Sequence, residues 1–452
     1  MLSEEAVVQR LNDLVGAEHV VSGEGALAYS VDEKIPAAVA FPASTEEVSA
    51  IMAFASAERL KIAPRGSGTK MGFGGVPEQI HVVLALSRLN KVVDHEPADM
   101  IATFQAGTLL REAQAILSRN GQFIAIDPPH ADLATIGGIL ATNSSGPRRL
   151  RYGTARDLVL AIRVVHADGK ITKGGAKVVK NVTGYDMNKL YIGSLGTLAI
   201  IVEVTFRLFP VPTCEKSFLA AFASLDAAQG VVARILDSSV VASALELLNP
   251  EASCQITEQA GLPWPKGSYG LAVAVGSVRR EAVDAQLGTI RRFCDEAGIS
   301  EGCLLDEQLH ETFWRATRDL RWGGGLQTVL KASVLLTKVA EGVRLGQEVA
   351  AREGLGLGIV SEAGSGIIRY YLTGDTDSPE QFEQGMTKAI KRLRAFAQEA
   401  EGSLVVLEAP PKIKSKVDVW GSIGNALPLM RGLKEQFDPD RVLNPGRFVG
   451  GI

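Results

Sequence analysis

The stretch Pro64–Gly75, PRGSGTKMGFGG, places five glycines in twelve residues immediately after the apolar run LKIA. Glycine tolerates positive φ and lets a main chain approach a ligand closely, so successive N–H groups can converge on an anion such as a phosphate. Two readings are open here: an anion cradle, or a flexible surface loop. Two nucleotide motifs are excluded. After Gly66-Ser-Gly68 the pattern G-x-G-x-x-G needs a glycine where Met71 stands, and G-x-x-x-x-G-K-[ST] does not occur.

The flanks place the loop in an α/β setting. AAVAF (37–41) reads as a short strand, and Ser44-Thr-Glu-Glu47 has the form of a capping box opening a helix to about Arg59. LKIAP then delivers the glycines at a strand's C-terminal end, where α/β folds tend to place ligands. IHVVLAL, KVVDHEP and MIATFQAG read as strands, followed by a helix from Thr108 to a stop at Asn120-Gly121. The run DPPHADLATIGGILATNSSGPRRLRYGTARD (127–157) is long and apolar for a loop, which points to an ordered binding segment. LVLAIRVVHADGKITKGG reads as a hairpin turned at Asp168-Gly169. LAIIVEVTFRLF alternates Val202, Val204, Phe206 and Leu208 with Glu203, Thr205 and Arg207, giving one buried and one wet face.

Pro210-Val-Pro212 marks a boundary, and the pattern then changes. FLAAFA, LAVAVGSV and SVLLTKV alternate with helical runs, suggesting an antiparallel α+β sheet with helices on one side. The expected organisation is an N-terminal helical segment (1–35), a first domain (36–212), a second (213–400) and a returning C-terminal segment (401–452).

Composition narrows the function classes. Of 452 residues 46% are hydrophobic, and 47 basic against 51 acidic residues leave a net charge of -4, which favours neither nucleic acid nor a polybasic membrane contact. The N-terminus reads as a helix and not an export signal, and no apolar run is long enough to span a bilayer, so a cytoplasmic protein is expected. Cys214, Cys254, Cys294 and Cys303 show no C-x-x-C spacing, so they read as buried apolar residues and not as cluster ligands. The sequons at Asn143 and Asn181 then read as chance matches.

Taken in order, PRGSGTKMGFGG, the 127–157 run, NVTGYDMNKLYIGSLGTLAIIVEVTFRL and DPDRVLNPGRF resemble the flavoprotein family typified by vanillyl-alcohol oxidase (PCMH-type FAD binding). Within it the chain is similar to FAD-linked 2-hydroxyacid dehydrogenases, and most to the FAD-binding E-type subunits of bacterial glycolate oxidase. The resemblance implies an α+β protein: a two-part FAD-binding domain and an α+β cap with an antiparallel sheet. It implies that Arg65, Gly66, Ser67, Gly68 and Thr69 form the diphosphate loop. Pro128, Thr135, Gly137, Gly138, Asn143 and Gly146 would line the flavin and ribityl chain, and Arg151, Tyr152, Gly153 and Asp157 would continue that wall. Gly196, Ile201 and Val202 would lie near the adenine, and Asn444 would reach the isoalloxazine unless Asn-Pro-Gly is a simple turn. The loop holds neither histidine nor cysteine, so the FAD is expected to be non-covalent.

One departure stands out. Relatives that oxidise 2-hydroxyacids carry histidines for a divalent metal and a base, where this chain has Glu362 and Arg369 in SEAGSGIIR and Ala409 after Glu408. A guanidinium stays protonated and binds no metal, so none is expected. Arg369 either pairs with Glu362, Glu408 or both, or clamps a substrate carboxylate. Arg315, Arg318, Arg321 and Lys331 cluster nearby in sequence. The resemblance implies a subunit that passes electrons from a 2-hydroxyacid, through a sister flavoprotein subunit and an iron–sulfur subunit. The alternatives are a self-sufficient FAD-dependent dehydrogenase or oxidase of a small organic acid, and a non-redox assembly scaffold.

Overall fold

The computed structural model describes residues 2–177, 185–322, 326–374 and 378–452. The sequon at Asn181 and the first residues of NVTGYD lie outside them. The chain divides into two compact units, one comprising Met1–Ser145, Thr154–Pro210 and Ser422–Ile452, the other Gly146–Gly153 and Val211–Gly421.

The first unit opens on the helix Glu4–Val15, capped by Ser3, which buries Val7, Leu11 and Val15. Strands β1 (Val20–Ser22), β2 (Ala38–Ala40), β3 (Ile62–Arg65) and β4 (Val82–Ala85) form a sheet in the order β1-β2-β4-β3. β4 runs parallel to both β2 and β3, while β1 lies antiparallel to β2. The N-terminal region is thus more than a helix, since it supplies an edge strand. Between β2 and β3 runs the helix Thr45–Ala57. The Ser44 hydroxyl accepts the Glu47 N–H at 3.1 Å, and Glu47 reaches back to the Ala43 N–H at 2.8 Å, one residue beyond the usual capping-box target.

A second sheet of this unit is antiparallel. It contains β5 (Val92–Glu96), β6 (Ile101–Gln105), β8 (Val159–Val165), β9 (Ile171–Gly175) and β10 (Ile200–Arg207), in the order β5-β6-β10-β8-β9. The short strands β7 (Gln122–Phe123) and β11 (Phe209–Pro210) pair with each other. The alternation read in β10 is half right. Val202, Val204 and Phe206 are fully buried, but Thr205 on the supposedly wet face is buried too, its hydroxyl 2.9 Å from that of Thr103.

The second unit is built on eight strands: β12 (Cys214–Phe222), β13 (Ala244–Leu248), β14 (Tyr269–Ser277), β15 (Glu301–Leu305), β16 (Leu326–Ser333), β17 (Gly356–Glu362), β18 (Ile367–Gly374) and β19 (Ser403–Glu408). They form one antiparallel sheet, ordered β15-β12-β14-β13-β17-β18-β16-β19. The helices 225–236, 280–296, 339–353 and 379–399 bury one face, and the helices 250–259 and 307–318 pack on apolar residues of the other. This corrects the expectation of helices on a single side. Residues 333–339 are also not a strand, because β16 ends at Ser333 and Leu336–Lys338 is a short 3-10 turn. The C-terminal return begins at Ser422 and not at 401, since β19 completes the sheet. Among the described residues no helix is long and apolar enough to cross a membrane.

Cys214 and Cys294 are buried, and burial pushes the Cys294 thiol up to about 12. Cys254 and Cys303 are only half-buried, which departs from the uniform core role expected. Phe206 is fully enclosed on the central strand β10. Phe206→Ala should therefore cost about 3–5 kcal/mol, read as a lower urea midpoint with the slope unchanged.

Candidate cofactor site

β3 ends at Arg65 and the glycine loop begins there. A Cβ on Gly66 would lie 2.0 Å from the Thr135 hydroxyl oxygen, so only glycine lets the loop pass this close. Thr135 is itself fixed as the N-cap of the helix Ile136–Thr142, accepting the Gly138 N–H. Gly196, at φ 67°, lies opposite, where a Cβ would meet the Pro64 ring at 2.6 Å. The Arg65 guanidinium stacks over the Tyr29 ring at 4.7 Å, and burial lowers its pKa.

These elements enclose a cavity of about 780 Å³, counting its open mouth, within the range of cofactor sites. It is lined by Arg65, Gly66, Ser67, Gly68 and Thr69 from the loop, Thr135, Gly137 and Gly138 from the helix start, and Gly196, Ile201 and Asn444. Among the described residues no protein acceptor takes the N–H groups of Ser67, Gly68 or Thr69. Three main-chain donors and a guanidinium, together with apolar Leu86, Ala106 and Ile200, suit a ligand with an anionic part and a flat apolar part. The donor set fits an FAD.

The other expected site residues are placed differently. Val202 is fully buried and uses its carbonyl to accept the Ala106 N–H. Asp157 accepts the Thr154 N–H at 2.7 Å, closing a capping box. Pro128 is buried without lining the cavity. Asn143 ends the helix Ile136–Thr142 in the left-handed conformation, and its buried Oδ1 has no hydrogen-bond partner among the described residues. Gly146, Arg151, Tyr152 and Gly153 fall in the segment that packs with the second unit, where Arg151 donates to the Gly276 carbonyl at 2.6 Å. Arg447, which also lines the cavity, was not singled out in the sequence. Its signal was a lone charge three residues past Asn444.

In the second unit, the register sets Arg369 on β18 between Lys331 on β16 and Val360 on β17, and Glu246 on β13 opposite Glu362 on β17. Arg369 and Glu362, both buried, form an ion pair, and Arg149 Nε lies 3.7 Å from the second Glu362 oxygen. Burial opposes the charge on Arg369, but Glu362, Tyr371 and Glu246 together outweigh it and hold its pKa above the ordinary value. Glu408 is exposed, opposite Val329, and takes no part in the pair. Burial, reinforced by Arg369, lowers Lys331 to about 8. Arg318 pairs with Asp319, and the indole N–H of Trp314 donates to Ser217 at 2.8 Å, so both serve the packing around them. No group of three or more metal-ligating side chains occurs among the described residues.

Comparison with known proteins agrees with this geometry. Residues 36–175 match the model of the FAD binding domain, and residues 211–405 and 422–448 match that of the FAD linked oxidases, C-terminal domain. The glycolate oxidase subunit GlcD of Bacillus subtilis (strain 168) is 28% identical, over 94% of this chain and 93% of that one. A D-lactate dehydrogenase of Archaeoglobus fulgidus is 28% identical over 90% of each chain. A D-2-hydroxyglutarate dehydrogenase of Xanthomonas citri pv. viticola is 29% identical, over 91% of this chain and 89% of that one. Among solved structures, substrate-bound p-cresol methylhydroxylase shares the fold with a TM-score of 0.77 at 16% identity, covering 98% of this chain and 96% of its own. The 4-ethylphenol oxidase of Gulosibacter chungangensis does so with 0.78 at 16% identity and the same coverage.

Two outcomes follow from the geometry. Gly66→Ala should weaken FAD binding by roughly tenfold or more in a fluorescence titration of the apoprotein, because the new methyl group forces the loop off Thr135. Lys331 keeps its proton up to its ordinary 10.5 in the unfolded chain but only to about 8 in the fold. Between those pH values the unfolded chain binds more protons, so Lys331 makes stability rise with pH across that window. Lys331→Met should flatten that part of the urea-midpoint profile relative to the parent.

Proposed function

The chain belongs to the FAD-linked oxidases, and from that premise we propose that it is the FAD-holding subunit of a glycolate-oxidase-like complex that oxidises a small 2-hydroxyacid. The observation that carries this reading is the buried Arg369–Glu362 pair, with Arg149 beside it. By family resemblance this is where catalytic relatives keep their histidines. A guanidinium neutralised by a carboxylate neither binds a metal nor accepts a proton. The relative GlcD is named a subunit of glycolate oxidase, which supports membership in an assembly.

FAD, when bound, supplies the acceptor for the two electrons of an alcohol oxidation. The chain's own part is binding and shielding. Ser67, Gly68 and Thr69 would offer main-chain N–H groups to the diphosphate, with Arg65 adding charge. Leu86, Ala106, Ile200 and Ile201 would exclude water from the ring system. Among the described residues no histidine or cysteine lines the cavity, which supports non-covalent attachment. Electrons gained from the 2-hydroxyacid at a sister flavoprotein subunit would pass through this FAD and onward to an iron–sulfur subunit.

A second reading, a self-sufficient dehydrogenase, draws on one observation. Lys331, lowered to about 8, is a group able to take a hydroxyl proton near neutral pH. Anaerobic mixing of the FAD-loaded protein with glycolate, D-lactate or D-2-hydroxyglutarate separates the two. The subunit reading expects the flavin to stay oxidised with the chain alone and to be reduced once a GlcD-type subunit is added. Rapid bleaching by the chain alone, abolished in Lys331→Met, would establish the second reading instead.

A further inference from the structure

Lys434 is 4% exposed and does not line the cavity. Its three ammonium protons all have acceptors: Asp438 Oδ2 at 2.6 Å, the Thr197 carbonyl at 2.8 Å and the Leu443 carbonyl at 2.9 Å. Asp438, equally buried, accepts the N–H groups of Val442 at 2.8 Å and Leu443 at 2.7 Å. The chain then reaches Asn444, held at φ 47°, a conformation that costs a non-glycine residue energy unless its surroundings enforce it. They do so here, since the Asn444 N–H donates to the Ile62 carbonyl at 2.8 Å and its side-chain amide to the Leu195 carbonyl at 2.7 Å. Three residues on, Arg447 donates to the carbonyls of Met71 and Phe73 and pairs with Asp32 at 3.3 Å. Its own carbonyl accepts the Gly75 N–H at 2.9 Å.

One short segment therefore ties together two stretches that both line the cavity. At one end it grips Leu195 and Thr197, which flank the lining residue Gly196, and at the other it grips the glycine loop. None of these bonds uses the cofactor. We propose that residues 434–447 form a clasp whose docking is coupled to FAD binding, with Lys434 as the positioning residue that fixes the spacing of the cavity walls. Without the ammonium, Asp438 and two buried carbonyls lose their partner, and the Leu195–Thr197 wall keeps only the Asn444 bond and its packing on Pro64 and Gly74. Linkage then requires the converse: a cofactor that fits only the closed spacing favours the docked clasp.

The test compares FAD titrations of apoprotein, followed by flavin fluorescence, for the parent, Lys434→Met and Leu11→Ala. Leu11 is a fully buried residue of the first helix that does not line the cavity, so its variant reports a purely structural loss. Lys434→Met is expected to raise the dissociation constant for FAD by roughly tenfold or more, and Leu11→Ala to leave it within about twofold while lowering the melting temperature. A Lys434→Met constant within about twofold of the parent, or an equal loss in Leu11→Ala, would overturn the proposal. Hydrogen exchange on the parent needs no variant. Adding FAD should slow the amides of Gly75, Val442, Leu443 and Asn444 together, and protection confined to residues 66–69 would refute the coupling.

Discussion

A main chain packed against a threonine hydroxyl is the constraint on which the cofactor site rests. β3 leaves its parallel pairing with β4 at Arg65, and the next residue sits where any side chain would collide with Thr135. The sheet fixes one partner of that contact and the capped helix Ile136–Thr142 fixes the other. The loop is held in place at Gly66, and Ser67, Gly68 and Thr69 line the cavity with N–H groups that no acceptor takes among the described residues. Such pre-set donors lose little freedom when an anion arrives, which favours tight binding.

The second unit solves a different problem, that of buried charge. Glu246, Glu362 and Arg369 are all nearly inaccessible and sit on adjacent strands of one sheet. An ion pair in such surroundings contributes little net stability, yet removing one partner is costly because the other charge is left unmatched. Lys331 bears the consequence: burial first, and then the Arg369 cation on the same side of the sheet, make it give up its proton readily. The cluster is a fixed charge pattern bordered by one titratable amine, quite unlike the imidazole set of metal-binding relatives.

Much of this was legible in the sequence, for identifiable reasons. The β2–helix–β3 unit announced itself because capping, periodicity and the glycine run agree locally. The antiparallel character of the second unit could be read from its pattern, but four of its strands, β13, β15, β17 and β18, were not recognised. Of these β13, β17 and β18 are buried on both faces, so their near-continuous apolar runs lack the period-two signal. Gly66 was singled out by the glycine run itself and Thr135 only through the family resemblance; both line the cavity. Site residues were not legible where the contact is long-range. Nothing near Lys434 in sequence hints that its partner is Thr197, and nothing near Arg447 points to Met71 or Asp32. The exposure of Glu408 depends on a bulge between β16 and β19 that a single strand's pattern does not encode.

The first unit is assembled from three separated stretches, whereas nearly all of the second is one continuous run, Val211–Gly421. During synthesis the second unit can begin to consolidate while the first still lacks its final part. Cavity residues from the glycine loop emerge early and can meet Thr135 and Gly196 before residues 434–447 leave the ribosome. A nascent chain arrested before residue 434 would therefore carry the cavity without Asn444 and Arg447, two of the residues that line it.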